Sequence, residues 1–271
     1  MSEPLDITAA LAAYHANVGR DREDDGRLHV ADLTKCVREV WARRNGRDLY
    51  PYDLQTQRRF AQGHMVEDEI LAALAEGNPH LERDTLIWLH IHDGALVGGR
   101  CIQEERNTYV DVASQYEVPE DAIIGHPDAV IISPDGASVV VEVKSTRFWD
   151  NGKRIPDEPR YEYAVQAAAY ALALGIEWCW LIVSCVISLL VTPSKAPFKF
   201  AAAKYQRDII EAIRERSAAT AKGAPEPPPT PPSYSERDRP RPGQATSWCC
   251  EYCNYGACEK NANAAGMRVA L

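Results

Sequence analysis

Positive charge is in short supply in this sequence. Thirty lysines and arginines stand against 39 aspartates and glutamates, a formal net charge of −9. That excludes a surface generally attractive to polyanions but says nothing against local patches. The amino terminus lacks the basic-then-apolar pattern of a secretory signal. The longest apolar run, WCWLIVSCVISLLV at 178–191, has fourteen residues, short of the roughly 20 that a membrane helix needs. A cytoplasmic protein is the expectation. No G-x-x-x-x-G-K-[ST] loop occurs, which removes the sign of an ATP-driven motor, and no internal repeat is evident.

What is present can build a core: the chain has 271 residues, of which 45% are hydrophobic. Helices are expected at 6–18, with Asp6 as N-cap, at 32–49 and at 53–76, where apolar residues recur at three- and four-residue steps. From Thr85 the pattern turns to strands: TLIWLHIH, then 121–132, then 138–145, the last two joined by the turn signal SPDGA. An alanine-rich helix follows at 161–175, then one or two buried strands within 178–191 and a final helix at 197–220. This order predicts an α/β core with a central mixed sheet. Eight of the twenty residues at 224–243 are proline, so that segment is expected to be an extended linker able to reach roughly 60 Å. One basic patch stands out, with Lys35, Arg38, Arg43, Arg44, Arg47, Arg58 and Arg59 against Glu39, Asp48 and Asp53. A solvated helix face and a phosphate contact explain it equally well.

The stretch GHPDAVIISPDGASVVVEVKS, 125–145, sets charge inside apolar runs. On a strand Glu142 and Lys144 share one face, and Val141, Val143 and Ser145 the other. The near-continuous apolar run reads as a strand covered on both faces, where an ion needs a partner or a metal. A half-exposed strand with a solvent-facing Glu/Lys pair is the plainer alternative. Against it stands Asp128, which a hairpin brings near Glu142; two adjacent carboxylates repel unless a cation joins them. Mg²⁺ or Mn²⁺ would suit such oxygen ligands.

Asp, about a dozen residues, then Glu-x-Lys resembles the signature of the PD-(D/E)XK nuclease superfamily. Two flanking motifs are similar to those of its RecB-like branch. In GHMVE the residue four after Gly63 is Glu67, where that branch carries a helical metal ligand, and His64 on the same helical face is a second candidate. In QAAAY, Gln166 and Tyr170 match Q-x-x-x-Y. The resemblance implies a restriction-endonuclease-like α/β core and metal-dependent cleavage of DNA. Glu67, Asp128, Glu142 and the Val143 carbonyl would hold Mg²⁺ or Mn²⁺, Lys144 would position the attacking water, and Gln166 and Tyr170 would support the site.

WCCEYCNYGAC, 248–258, packs four cysteines into a short span. In a reducing compartment a metal or cluster is the expected use, and the second C-x-x-C pair of a zinc ribbon is missing. Cys36 is the candidate for a remote fourth ligand, with the linker spanning the distance. The arrangement resembles the iron–sulfur staple of the CRISPR-associated RecB-type exonucleases, AddB-type nuclease domains and phage exonucleases. That resemblance implies a 4Fe-4S cluster on Cys36, Cys250, Cys253 and Cys258, with Cys249 a neighbouring alternative and Zn²⁺ the alternative metal. Cys101, Cys179 and Cys185 are expected to be buried small hydrophobes.

The expected organisation is a helical region at 1–84, a nuclease core at 85–223, the linker at 224–243 and a cluster segment at 244–271. The implied activity is a DNA exonuclease, 5′ to 3′ on single strands or free ends, in recombination or repair, phage DNA metabolism or CRISPR adaptation, with a protein partner in some of these settings. A non-catalytic DNA-binding module on the same fold is the alternative.

Overall fold

The computed structural model describes residues 26–47, 54–105, 108–132, 137–146, 159–185 and 197–227. Helix 6–18, the turn at 133–136, the run 186–191, the linker beyond 227 and Cys249, Cys250, Cys253 and Cys258 lie outside the described residues. After a 3-10 turn, Val30–Thr34, come helices α1 (Val37–Arg44) and α2 (Leu54–Gly77). Strands β1 (Leu81–Glu82), β2 (Ile87–His92), β3 (Ala95–Glu105), β4 (Thr108–Asp111), β5 (Ile123–Gly125), β6 (Ala129–Ile132) and β7 (Ser138–Thr146) follow. The chain continues through α3 (Tyr161–Ala173), β8 (Trp178–Cys185), β9 (Phe198–Ala201), a 3-10 turn and α4 (Gln206–Ala219).

The strands form two sheets. One is mixed, in the order β1-β6-β7-β8-β9, and the other is antiparallel, in the order β4-β3-β2-β5. Only β7 and β8 run parallel in the first, in register from Val139 opposite Trp178 to Thr146 opposite Cys185. A parallel pair needs a long crossover, and α3 lies within it.

Alanine explains where α3 sits. Ala164, Ala167, Ala168, Ala169 and Ala171 are all fully buried. With methyl side chains the helix packs against β2 and β3 of one sheet and β7 and β8 of the other. The central strand β7 is therefore covered twice. Val140 faces α3 together with Cys179 and Leu181, while Val139, Val141 and Val143 face Val66, Ile70 and Leu71 of α2.

Several boundaries differ from the sequence expectation. The apolar run 121–132 is divided between two sheets, because Pro127 cannot donate to a ladder and the chain crosses at His126–Asp128. The expected helix 32–49 is a 3-10 turn and a shorter helix, with Cys36 as N-cap of α1. The expected helix 197–220 begins as β9. Among the described residues no helix is long and apolar enough to cross a membrane.

Part of the basic patch is taken up inside the fold. Arg38 Nε donates to the Pro227 carbonyl at 2.9 Å and Trp41 Nε1 to the Ala224 carbonyl at 2.8 Å. Arg44 Nη1 donates to Thr220 Oγ1 at 2.8 Å, and Gly223 N–H to Asn45 Oδ1 at 2.9 Å. Arg43 pairs with the buried Asp32. Arg38 and Arg44 thus hold residues 220–227 against α1 and Arg43 is engaged by Asp32, so these three arginines of the patch are taken up within the fold.

Candidate active site

The ladder of β6 and β7 pairs Ala129 with Val141, and one step further in that register sets Asp128 opposite Glu142. Asp128 Oδ2 accepts the Val143 N–H at 2.6 Å, which ties the crossing between the sheets to the charged strand. Gly125 precedes that crossing. A Cβ there would stand 2.6 Å from the Tyr170 ring and 2.7 Å from Val30, so only glycine lets Tyr170 close over the site. On the other face, a Cβ on Gly63 would meet Ser145 Oγ at 3.0 Å. Its absence brings α2, and with it Glu67, against the end of β7.

Glu142 has no exposed surface, and the side chain of Lys144 is 23% exposed. Glu142 Oε1 forms an ion pair with the Lys144 ammonium, and Oε2 has no hydrogen-bond donor among the described residues. A buried carboxylate with an unfilled acceptor is costly. Burial is the main reason the Glu142 carboxyl is pushed up to about 8, with Lys144 opposing and Asp128 and Glu67 adding to the rise. Asp128 is pushed up to about 6, again first by burial, with Lys144 opposing and Glu67 adding. Burial works to lower Lys144, but Glu142 and Asp128 outweigh it and its pKa moves up. The solvent-facing Glu/Lys pair of the plainer sequence reading is thus excluded.

Gln166 and Tyr170 face one way, as one helical turn requires: Gln166 Nε2 donates to Tyr170 Oη at 3.1 Å. Burial first, and then Glu142, raise the pKa of the Tyr170 phenol. Glu67 stands at the rim, its side chain 31% exposed, with His64 Nδ1 3.7 Å from its Oε2. His64 is 69% exposed. The structure therefore brings Asp128, Glu142, Lys144, Gln166 and Tyr170 together, with Glu67 nearer to them in effect than His64.

The donor set suits a hard divalent cation: two adjoining carboxylates, one with an open oxygen, beside a strand carbonyl at Val143. Among the described residues no three His, Cys, Asp or Glu side chains are arranged as a complete ligand cage. The fit accordingly rests on the Asp128–Glu142 pair and the unfilled Oε2. Sequence reasoning missed Tyr163. Lys144 Nζ lies 5.8 Å and Arg160 Cζ 5.9 Å from its ring centroid. The available signal was its place three residues before Gln166 on the same helical face.

Cys36 is buried at the start of α1. Arg216, itself buried, donates from Nη2 to the adjacent Lys35 carbonyl at 3.1 Å and from Nε to the Asp32 carbonyl at 2.7 Å. Cys101 and Cys179 are buried, and burial is the main cause that pushes both thiols up to about 12. They are inert core residues, as expected; the side chain of Cys185 is not among those described.

Comparison with known proteins agrees with this geometry. The family model of the PD-(D/E)XK nuclease superfamily matches residues 9–258. The crystal structure of SSO0001 is similar, with a TM-score of 0.52 and 16% identity over 96% of this chain and 98% of that one; this likeness concerns the fold alone. An alkaline exonuclease from Laribacter hongkongensis gives a TM-score of 0.35 and 14% identity, covering 72% of this chain and 90% of that one. That second likeness is too slight to carry an argument. No curated protein matches the sequence.

Proposed function

We propose, from the premise that this chain belongs to the PD-(D/E)XK nuclease superfamily, that it is a metal-dependent DNA exonuclease of the RecB-like kind. Nucleases of this superfamily generally use divalent metals such as Mg²⁺ or Mn²⁺. The observation that carries the catalytic reading is the fully buried Glu142, paired with Lys144 and set beside Asp128. A carboxylate cluster this costly has an obvious use if a divalent cation offsets it. The RecB-like assignment draws on Glu67 four residues after Gly63 and on the Gln166–Tyr170 pair packed over the carboxylates.

In the proposed mechanism Asp128, Glu142 and the Val143 carbonyl, with Glu67 at the rim, would hold one or two Mg²⁺ or Mn²⁺ ions. When bound, the metal supplies an activated water and offsets charge on the phosphoryl oxygens. Lys144 stands beside the two carboxylates, which raise its pKa. It donates a hydrogen bond that orients the attacking water or the scissile phosphate. Gln166 and Tyr170 hold the Glu142 side of the site, and Tyr170 excludes water from it. Single strands or free ends are the proposed substrate, with 5′ to 3′ polarity and a recombination or CRISPR-adaptation partner as finer parts of the same proposal.

The test is degradation of end-labelled single- and double-stranded DNA with Mn²⁺, Mg²⁺ or EDTA. Metal-dependent loss of label supports the reading. Folded, metal-loaded protein that binds DNA without cutting it would instead establish the non-catalytic binding module.

We further propose a nuclease core followed by a proline-rich linker and a segment carrying a 4Fe-4S cluster on Cys36, Cys250, Cys253 and Cys258. The support is local. Residues 220–227 are bonded to α1, whose N-cap is Cys36, so the chain leading to the other three cysteines starts beside the first. Anaerobically purified protein is expected to be brown with a broad visible absorption band, and Cys36→Ser to lose it. A colourless protein with one zinc per chain would select Zn²⁺, and absence of both metals would refute the shared site.

A further inference from the structure

The carboxylate cluster accounts for cations but not for how a polyanion is held at its mouth. Glu67, Asp128 and Glu142 oppose a phosphate chain, and Lys144 is already engaged by Glu142. The first turn of α3 offers what is missing. Arg160, its N-cap, has a side chain 56% exposed, and among the described residues its carboxylate contact is Glu162 at 3.6 Å. That is longer than a charge-assisted hydrogen bond, and with one N–H donated to the Tyr163 phenol the guanidinium still has N–H groups to direct elsewhere. Tyr163, one turn on, has both Arg160 and Lys144 over its ring, at 5.9 and 5.8 Å. Burial is the largest influence on its phenol and raises its pKa, while Arg160 and Lys144 oppose.

We propose that Arg160 and Tyr163 form a phosphate-anchoring subsite: Arg160 grips a backbone phosphate next to the scissile one, and the Tyr163 ring holds Arg160 and Lys144 in one line. The inference rests on the nuclease reading. Arg160 touches substrate; Tyr163 is a positioning residue. The planar guanidinium reads phosphate in a bidentate way that an ammonium cannot, and the ring face attracts both cations while the Tyr163 hydroxyl accepts one Arg160 N–H.

The test compares the full-length protein with Arg160→Ala, Arg160→Gln, Tyr163→Leu and Tyr163→Phe. Cleavage kinetics are read on end-labelled single-stranded DNA, and binding is read by fluorescence anisotropy in EDTA across a salt series. Both Arg160 variants are expected to raise KM on the order of ten-fold with kcat nearly unchanged. They should also reduce the slope of log affinity against log salt by about 0.7 to 0.9, one phosphate's share. Tyr163→Leu is expected to lower kcat about five-fold, and Tyr163→Phe, which keeps the ring face, to stay within about two-fold of wild type. Unchanged KM and salt slope in the folded Arg160→Gln variant would overturn the anchor. Equal losses in Tyr163→Leu and Tyr163→Phe would overturn the ring's role. A wild type that neither binds nor cleaves DNA would sink the nuclease reading itself, a result distinct from either.

Discussion

Asp128→Asn is expected to remove metal-dependent cleavage, by roughly 10³-fold or more, while leaving the fold and DNA binding in place. The substitution separates two jobs of one side chain. As a structural group, Asp128 accepts the Val143 N–H at 2.6 Å, and an asparagine carbonyl accepts it equally well. The crossing between the sheets and the position of β7 should therefore persist, with a melting temperature at or above that of wild type in metal-free buffer. As a charged group, Asp128 is half of the pair that would hold the metal, and an amide brings no charge to that task. Binding in EDTA should hold or strengthen slightly, since one negative charge leaves the path of a polyanion. Cleavage by Asp128→Asn near the wild-type rate would refute the site; a collapsed melting temperature would show that the charge itself holds the hairpin.

That pairing was legible in the sequence because strand periodicity is unambiguous where charges interrupt an apolar run. Glu142 and Lys144, two apart, had to share a face, and Asp128 had to approach them once SPDGA was read as a turn. Gln166 and Tyr170 were legible for the same reason on a helix. The second sheet was not. The β3 strand carries Gly98, Gly99, Glu104 and Glu105, and most of its residues are exposed or half-buried, so its alternation is weak and its turn-like glycines mislead. Those glycines serve packing. A Cβ on Gly98 would stand 2.9 Å from the Ala173 backbone, the place where α3 meets this sheet. Nor could the run 121–132 reveal its division. Val130 and Ile124 are equally apolar and equally buried, and only the chain path decides which ladder each joins. Part of the basic patch was illegible for another reason: Arg38 and Arg44, which bond residues 220–227, look in sequence the same as arginines that meet phosphate.

The second large effect is expected in the pH dependence of metal stabilisation. Asp128 rises from an ordinary 3.8 to about 6 and Glu142 from 4.5 to about 8, in both cases first through burial. A carboxyl whose folded-state pKa is raised binds its proton more tightly folded than unfolded. Its contribution to stability is complete below about pH 4 and is lost as pH rises through about 6 and then about 8. Metal-free protein should therefore lose stability between pH 5 and pH 8 as two buried charges are forced to appear with one ammonium between them. Mn²⁺ binds the deprotonated ligands, so its apparent affinity grows over the same interval. At a metal concentration about 100-fold above the dissociation constant, binding adds about 2.7 kcal/mol, which for a chain of this size is a rise of roughly 5–10 °C. The expected result is a rise of that order with Mn²⁺ at pH 8, little or none at pH 5, and little at either pH in Asp128→Asn. A shift equal at both pH values, or retained in Asp128→Asn, would place the stabilising metal away from Asp128 and Glu142. A metal-free pH dependence that weakens in Asp128→Asn while keeping the part due to Glu142 would tie the buried charges to the instability that the cation relieves.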